Sequence, residues 1–185
     1  MKKIEQVRWG IIGAGDVCEI KSGPAFKNIE NSELIAVMRR DADKAKDFAR
    51  RHSIDKWYTD AGDLINDPSV NAIYIATPPY VHKDYTQMAA LAGKPVYVEK
   101  PMALNHEESL EMISVCKKHN VPLFVAYYRR ALPNFIKVKE LIDNGSIGDI
   151  RYVKIKLNKT LEPDIIGAAG QSNNWRTDPS IAGGG

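Results

Sequence analysis

The sequence has 185 residues, 44% of them apolar, and a formal charge of +3 from 26 basic against 23 acidic side chains, enough for one α/β domain, or for one with part of a second, around a real core. The charges are dispersed, which argues against the basic block that tracks a nucleic-acid backbone. No apolar run nears the roughly 20 residues of a membrane span, and MKKIEQVRWG lacks the apolar segment and cleavage site of a secretory leader, so a cytoplasmic protein with no membrane or nucleic-acid partner is expected.

Short β-rich runs alternate with helical patterns, the signature of a mainly parallel sheet covered on both faces. Residues 7–12 read as the first strand. Residues 17–28 read as a helix bent near Gly23 and Pro24, and 34–38 as the second strand. Residues 41–52 form the second helix, with Ala42, Ala45, Phe48 and Ala49 near helical spacing. A short strand at 56–59 precedes a helix over 61–66, which Asp67 and Pro68 stop. Then come strand 72–76, helix 81–92 and strand 95–98. Asn105 is placed to cap the next helix with Glu108 as its capping-box partner, and that helix runs to about Asn120. Residues 121–127 are a further buried strand.

Beyond this point the rhythm changes, and the domain boundary is placed near Arg129. A helix over 132–144 leads through a turn at 145–148 into residues 150–157, where Val153, Ile155 and Leu157 alternate with Tyr152, Lys154 and Lys156. Such alternation predicts a strand with one wet face, part of a different and more open sheet. Residues after Leu157 read as loop. Cys18 and Cys116 lie far apart in unrelated contexts, which suits a reducing compartment and offers no metal-ligand spacing.

WGIIGAGDVCE has the order strand, tight glycine turn, helix. Gly13 makes the turn, and Gly15 lets the backbone approach a pyrophosphate at the N-terminus of the helix that Asp16 and Val17 open, where unpaired N–H groups favour anions. The third small position is Cys18, so the dinucleotide fingerprint is incomplete, but its place after the first strand of a βαβ pattern points to a dinucleotide. The second strand ends in VMRRD, with Arg39 where an acid would take the ribose hydroxyls of NAD. Arg39 and Arg40 can pair with a 2′-phosphate, which predicts NADP over NAD; the plain alternative is a solvated charged edge.

In YIATPPYVH the strand runs into prolines that favour a rigid loop at the carboxyl end of the sheet, where ligands bind. Thr77 and Pro78 are expected to line the nicotinamide ribose. His82 is read both as a cofactor contact and as a structural histidine at a helix start. YVEKP lies at the same sheet edge. There the Lys100 ammonium can point to the nicotinamide face and act on a substrate hydroxyl, with Glu99 taking a ribose hydrogen bond or fixing the lysine's direction. The plain alternative for Lys100 is a strand-capping lysine without chemistry.

GIIGAGDV, ATPPYVH, AGKPVYVEKPMA, YYRR and WRTDPSIAGGG together resemble the glucose–fructose oxidoreductase, inositol dehydrogenase and MocA family of pyridine-nucleotide enzymes. The resemblance implies a Rossmann-type domain over residues 1–128 and, over 129–185, the start of an α+β domain on a mostly antiparallel sheet that carries substrate contacts and often the dimer interface. It makes Lys100 of the Glu99-Lys100-Pro101 motif the catalytic or substrate-orienting residue. Tyr128, Arg130, Trp175 and Arg176 match substrate-side positions, and Arg129 matches the interdomain junction. The implied reaction is hydride transfer between a nicotinamide cofactor, NADP or alternatively NAD, and a secondary hydroxyl of a sugar, inositol or cyclic diol, in a protein that forms homo-oligomers at full length. Two other functions stay open, a nucleotide-dependent glycosidase of the same family and a non-enzymatic sensor. Family members usually continue past the Gly-Gly-Gly run into a segment with an aspartate and, four residues on, an acid–base histidine. No histidine of this sequence falls there, so a truncated chain of low activity is expected.

Overall fold

The computed structural model describes residues 4–158 and 178–183. Residues 4–126 with 178–183 form one compact unit, and residues 127–158 belong to a second.

The first unit is built on a six-stranded parallel sheet of strands β1 (Val7–Ile12), β2 (Ser32–Met38), β3 (Lys56–Tyr58), β4 (Ala72–Ile75), β5 (Val96–Val98) and β6 (Leu123–Val125). Its order is β3-β2-β1-β4-β5-β6, so β1 lies between β2 and β4 and the winding reverses beside it. Register places Ile11 opposite both Val37 and Tyr74, with an irregularity between Trp9 and Gly10 on the β2 side. The helices are α1 (Gly23–Lys27), α2 (Ala42–Arg51), α3 (Ala61–Asn66), α4 (His82–Leu91) and α5 (His106–Lys118). The expected doubly covered parallel sheet is therefore present.

Side chains alternate between two cores because successive strand residues point to opposite faces. Ile12, Ile73 and Ile75 pack with Leu64, Ala89 and Met112 from α3, α4 and α5. Ile11 and Tyr74 pack with Phe26, Phe48 and Ala49 from α1 and α2. Trp9 stacks on Phe26 with centroids 4.6 Å apart on this second face. Gly10 is needed for the first: a Cβ there would meet Leu64 Cδ2 at 2.6 Å.

Local signals account for where the helices start. Asp41 accepts from Lys44 N at 3.1 Å, Asp60 from Gly62 N at 2.7 Å, and Asn105 from Glu108 N at 2.8 Å. The Glu108 carboxylate closes its box one residue early, accepting from Leu104 N at 3.1 Å. The bend expected near Gly23 and Pro24 is a π-helical turn over Cys18–Ser22 that passes into α1. Pro24 has no N–H to give to the preceding turn, and the Gly23 N–H reaches back to Cys18 O instead.

The first unit also includes α7 (Pro179–Ala182), capped by Asp178 and packed on the 3-10 turn Pro79–Val81. Gly183 follows it at φ +86°, where a Cβ would lie 2.7 Å from Leu104 O.

In the second unit a 3-10 turn (Tyr128–Ala131) precedes α6 (Pro133–Asp143), and Gly145 and Gly148 adopt positive φ in the expected turn. The strand expected over residues 150–157 is not formed. Alternation supplies a face, but a strand also needs a ladder partner, and no other described segment pairs with this one; Val153, Ile155 and Leu157 stand exposed. Among the described residues no helix is long and apolar enough to cross a membrane, and no group of three or more His, Cys, Asp or Glu could hold a metal ion.

Candidate active site

A cleft of about 570 Å³ opens at the carboxyl edge of the sheet, lined from the ends of β1, β2, β4 and β5. Parallel strands bring their C-terminal loops to one edge, and the winding reversal beside β1 leaves room between them.

The loop after β1 forms the floor. Gly13 has φ +88°, and its amide donates to Met38 O at 3.0 Å. Gly15 N donates to Gly13 O at 2.7 Å, and the Cys18 amide donates to Gly15 O at 2.9 Å as the helix begins. The two glycines have different tasks. A Cβ on Gly13 would strike Thr77, whereas one on Gly15 would meet only Gly13 O, at 3.9 Å. Its open side adjoins the cleft, which is the cradle a pyrophosphate needs. Cys18 is fully buried beneath this loop, and burial pushes its thiol up to about 12. In place of a third glycine it packs as a small apolar side chain.

Beyond β2, Arg39 and Arg40 line one end of the cleft with Asp41 and Lys44. Arg39 is half-buried and Arg40 exposed. Neither guanidinium has an ion-pair partner among the described residues, whereas Lys44 Nζ lies 3.5 Å from Asp41 Oδ2. Three cations thus stand at the start of α2, where the helix dipole adds to their attraction for an anion.

The loop after β4 contributes Ala76, Thr77, Pro78, Tyr80 and Val81. Thr77 Oγ1 is buried and has no hydrogen-bond partner, a vacancy of bonding that a ligand hydroxyl or carboxamide fits. His82, expected as a possible cofactor contact, does not line the cleft. Its ring is fully buried, with Nε2 2.8 Å from Thr77 O and Nδ1 3.1 Å from Pro101 O and 3.2 Å from Met102 O. Burial lowers its pKa. The first residue of a helix points inward here because α4 packs flat on the sheet, so His82 braces the Thr77 and Lys100 loops from behind.

After β5, Glu99 and Lys100 complete the lining. Glu99 N donates to Ile75 O at 2.9 Å, tying the loop to β4. The Glu99 carboxylate accepts from Tyr74 OH at 2.7 Å and from Lys100 N at 3.1 Å. Tyr74 OH also lies 2.8 Å from Ser22 Oγ. Lys100 is exposed at the cleft edge.

Of the residues singled out in the sequence, Gly13, Gly15, Asp16, Val17, Arg39, Arg40, Thr77, Pro78, Glu99 and Lys100 meet in this one cleft. Tyr128 and Arg130 lie in the 3-10 turn of the second unit, both exposed. Trp175 and Arg176 lie outside the described residues. Lys44, Tyr80 and Tyr85 line the cleft without having been singled out. The signal for Lys44 was its place one turn into the helix after Arg40. Tyr80 sat inside the flagged proline loop. Tyr74 and Ser22 were also missed, although a tyrosine inside an entirely buried strand must find a partner for its hydroxyl.

Comparisons with known proteins agree with this geometry. The family model GFO_IDH_MocA, described as an oxidoreductase family with an NAD-binding Rossmann fold, matches residues 7–127. Oxidoreductase P35 of Formosa agariphila is 48% identical over 180 residues, covering 97% of this chain and 56% of that protein. KijD10, a 3-ketoreductase from Actinomadura kijaniata solved with NADP and TDP-benzene, aligns with TM-score 0.72 and 27% identity over 79% of this chain and 45% of its own. Scyllo-inositol dehydrogenase from Lactobacillus casei, solved with NAD(H) and scyllo-inositol, gives TM-score 0.72 and 25% identity over 78% of this chain and 43% of its own. The chain spans about half the length of the curated relatives it matches.

Proposed function

The chain belongs to the GFO_IDH_MocA oxidoreductase family, and from that premise we propose that it forms the cofactor half of an NADP-preferring enzyme that oxidises or reduces a secondary hydroxyl of a sugar, inositol or cyclic diol. The observation that carries the reading is one cleft holding Gly15's open flank, Thr77's unpartnered hydroxyl and the Lys100 ammonium together.

A bound nicotinamide nucleotide supplies hydride exchange at carbon. The rest falls to side chains and backbone of this chain. The Gly13–Gly15 turn and the first N–H groups of its helix, at Asp16 and Val17, hold the pyrophosphate. Arg39 and Arg40, with Lys44 beside them, hold a 2′-phosphate by charge-assisted hydrogen bonds. Thr77 and Pro78 line the nicotinamide end, where Thr77 Oγ1 gains the partner it lacks. Glu99 accepts from ribose hydroxyls. Lys100 Nζ steadies the substrate oxygen as it changes between hydroxyl and carbonyl, which lowers the cost of charge there.

The remaining parts of the proposal concern the whole protein. Residues 129–185 begin a substrate domain on a mostly antiparallel sheet, Tyr128, Arg130, Trp175 and Arg176 face the substrate, and the full-length protein is a cytoplasmic homo-oligomer. Two free, buried cysteines suit a reducing compartment. The test has two steps. First, this chain is titrated with NADPH and NADH by fluorescence. Then a protein of the relatives' full length that contains it is screened for hydride transfer against sugars, inositols and cyclic diols, with Lys100→Met as control. Saturable NADPH binding and turnover reduced at least about a hundredfold by Lys100→Met is the expected result. Absence of nucleotide binding, or full turnover in Lys100→Met, refutes it.

A further inference from the structure

We infer that Tyr74 is a positioning residue for the cofactor, its buried phenol fixing the Glu99 carboxylate against the nicotinamide ribose, and that Ser22 fixes the phenol in turn. The inference rests on the proposed nucleotide site and deepens it.

The direction of each hydrogen bond follows from proton counting. An ionised Glu99 can only accept. Tyr74 has a single hydroxyl proton, and it goes to Glu99 Oε1 at 2.7 Å. Ser22 Oγ, 2.8 Å from the same phenolic oxygen, must then be the donor of that pair. The chain runs one way, from Ser22 through Tyr74 to Glu99, and donation into the phenol strengthens donation out of it.

The phenol cannot swing away from this position. Tyr74 is 1% exposed. Its ring meets Phe26 edge-on at 5.2 Å and Tyr97 at 5.3 Å between centroids. With Oε1 held by Tyr74 and Oε2 by Lys100 N at 3.1 Å, the carboxylate has one orientation. Each of the two oxygens keeps acceptor capacity beyond these bonds, and Glu99 lines the cleft. A carboxylate meeting a vicinal ribose diol gains from being fixed beforehand, because no rotamer entropy is then lost on binding. Ser22 closes the π-helical turn of the helix that starts at the Gly13–Gly15 loop. One line of hydroxyls therefore ties the phosphate-binding helix to the nicotinamide end of the cleft.

The test separates the two ends of the cofactor. Affinities of wild type, Tyr74→Phe, Ser22→Ala and Glu99→Gln are measured for NADPH and for 2′,5′-ADP, which has no nicotinamide half, and the emission of bound NADPH is recorded. Thermal melts check folding. Tyr74→Phe is expected to weaken NADPH about tenfold and to shift its bound emission toward that of free NADPH. Its 2′,5′-ADP affinity is expected to stay within about twofold of wild type. Ser22→Ala, at the surface end of the chain, gives the same pattern at about two- to threefold. Combined with Glu99→Gln, Tyr74→Phe adds no further loss, since both act through one contact. Equal weakening of both ligands in the folded variants reduces Tyr74 to a core residue and overturns the inference, as does unchanged NADPH binding. If Tyr74→Phe does not fold, Ser22→Ala alone decides. Wild type that binds 2′,5′-ADP and NADPH equally well overturns the ribose contact itself, and wild type that binds neither overturns the nucleotide site.

Discussion

Gly13 and Thr77 approach so closely that a Cβ on Gly13 would lie 2.6 Å from Thr77 Cγ2 and 3.0 Å from the Thr77 amide nitrogen. The contact joins the β1 and β4 loops at the floor of the cleft, and it is made at φ +88°, where a side chain is strained in any case. Gly13→Ala is expected to destabilise the fold by about 2 kcal/mol, roughly 4–8 °C in Tm. Gly15→Ala has room within the protein and should melt within about 2 °C of wild type, yet lose NADPH affinity by about tenfold or more because its methyl enters the proposed phosphate cradle. Melting curves and titrations of the two variants measure this contrast. Equal effects of both on both properties would refute the division of labour.

Arg39 and Arg40 have no ion-pair partner among the described residues, so their charge is available to a ligand. Arg39→Ala should raise the Kd for NADPH about tenfold while leaving that for NADH within about twofold. Because the pair is partly exposed, the NADPH preference should also fall as salt is raised. Comparable affinity for both nucleotides in wild type, unchanged by the substitution, removes the NADP preference.

Asp67 is 6% exposed and accepts from Lys56 Nζ at 2.7 Å, Tyr58 OH at 2.8 Å, and Ser69 N and Oγ at 2.8 and 2.7 Å. Burial opposes its charge, but the hydrogen bonds from Lys56, Ser69 and Tyr58 together outweigh it and hold the carboxyl well below the usual carboxylate range. A depressed folded pKa stabilises the native state fully above the ordinary value of about 3.9 and loses that contribution as pH falls toward the folded value. Asp67→Asn should therefore cost about 1–3 kcal/mol at pH 7, and its Tm deficit should narrow below about pH 4. Glu19, held at about 2 chiefly by the hydrogen bond from Arg51, works in the same direction. Some acid sensitivity should thus survive in the variant. A Tm deficit that is constant from neutral to acid pH would contradict the assignment.

Both cysteines are buried, and burial raises both thiols, Cys18 to about 12. The native protein should give no reaction with Ellman's reagent at pH 8, and both thiols should react once denaturant unfolds it. Prompt labelling of Cys18 in the native state would mean that the glycine loop opens.

Much of the first unit was legible because its signals are local. Asn105 marks a helix start, Pro24 marks the bend, and a glycine turn after a buried strand marks the loop at the floor of the cleft, whereas the caps at Asp41 and Asp60 were not read from the sequence. The cleft follows from one rule, that parallel strands deliver their loops to a single edge, which brings Arg39, Thr77 and Lys100 together. Tertiary packing decided the rest. Nothing about a histidine at a helix start says that the helix will press it into the protein, so His82 stayed ambiguous. A strand buried on both faces, such as β4, has no polar side to betray that the Tyr74 hydroxyl bonds Glu99 and Ser22. Residues 150–157 show the opposite failure. Their alternation is real, but pairing belongs to two segments and cannot be read from one.

The position of β1 between β2 and β4 constrains the order of events during synthesis. The cleft draws on residues from Gly13 to Lys100, and its floor is complete only when β4 and β5 have docked beside β1. A nascent chain that has not yet emerged past Lys100 from the ribosome has the glycine loop but no opposing wall, and should not capture a nucleotide. The earliest moment at which a cofactor can act as a folding template is set by the emergence of β5 and the loop that follows it.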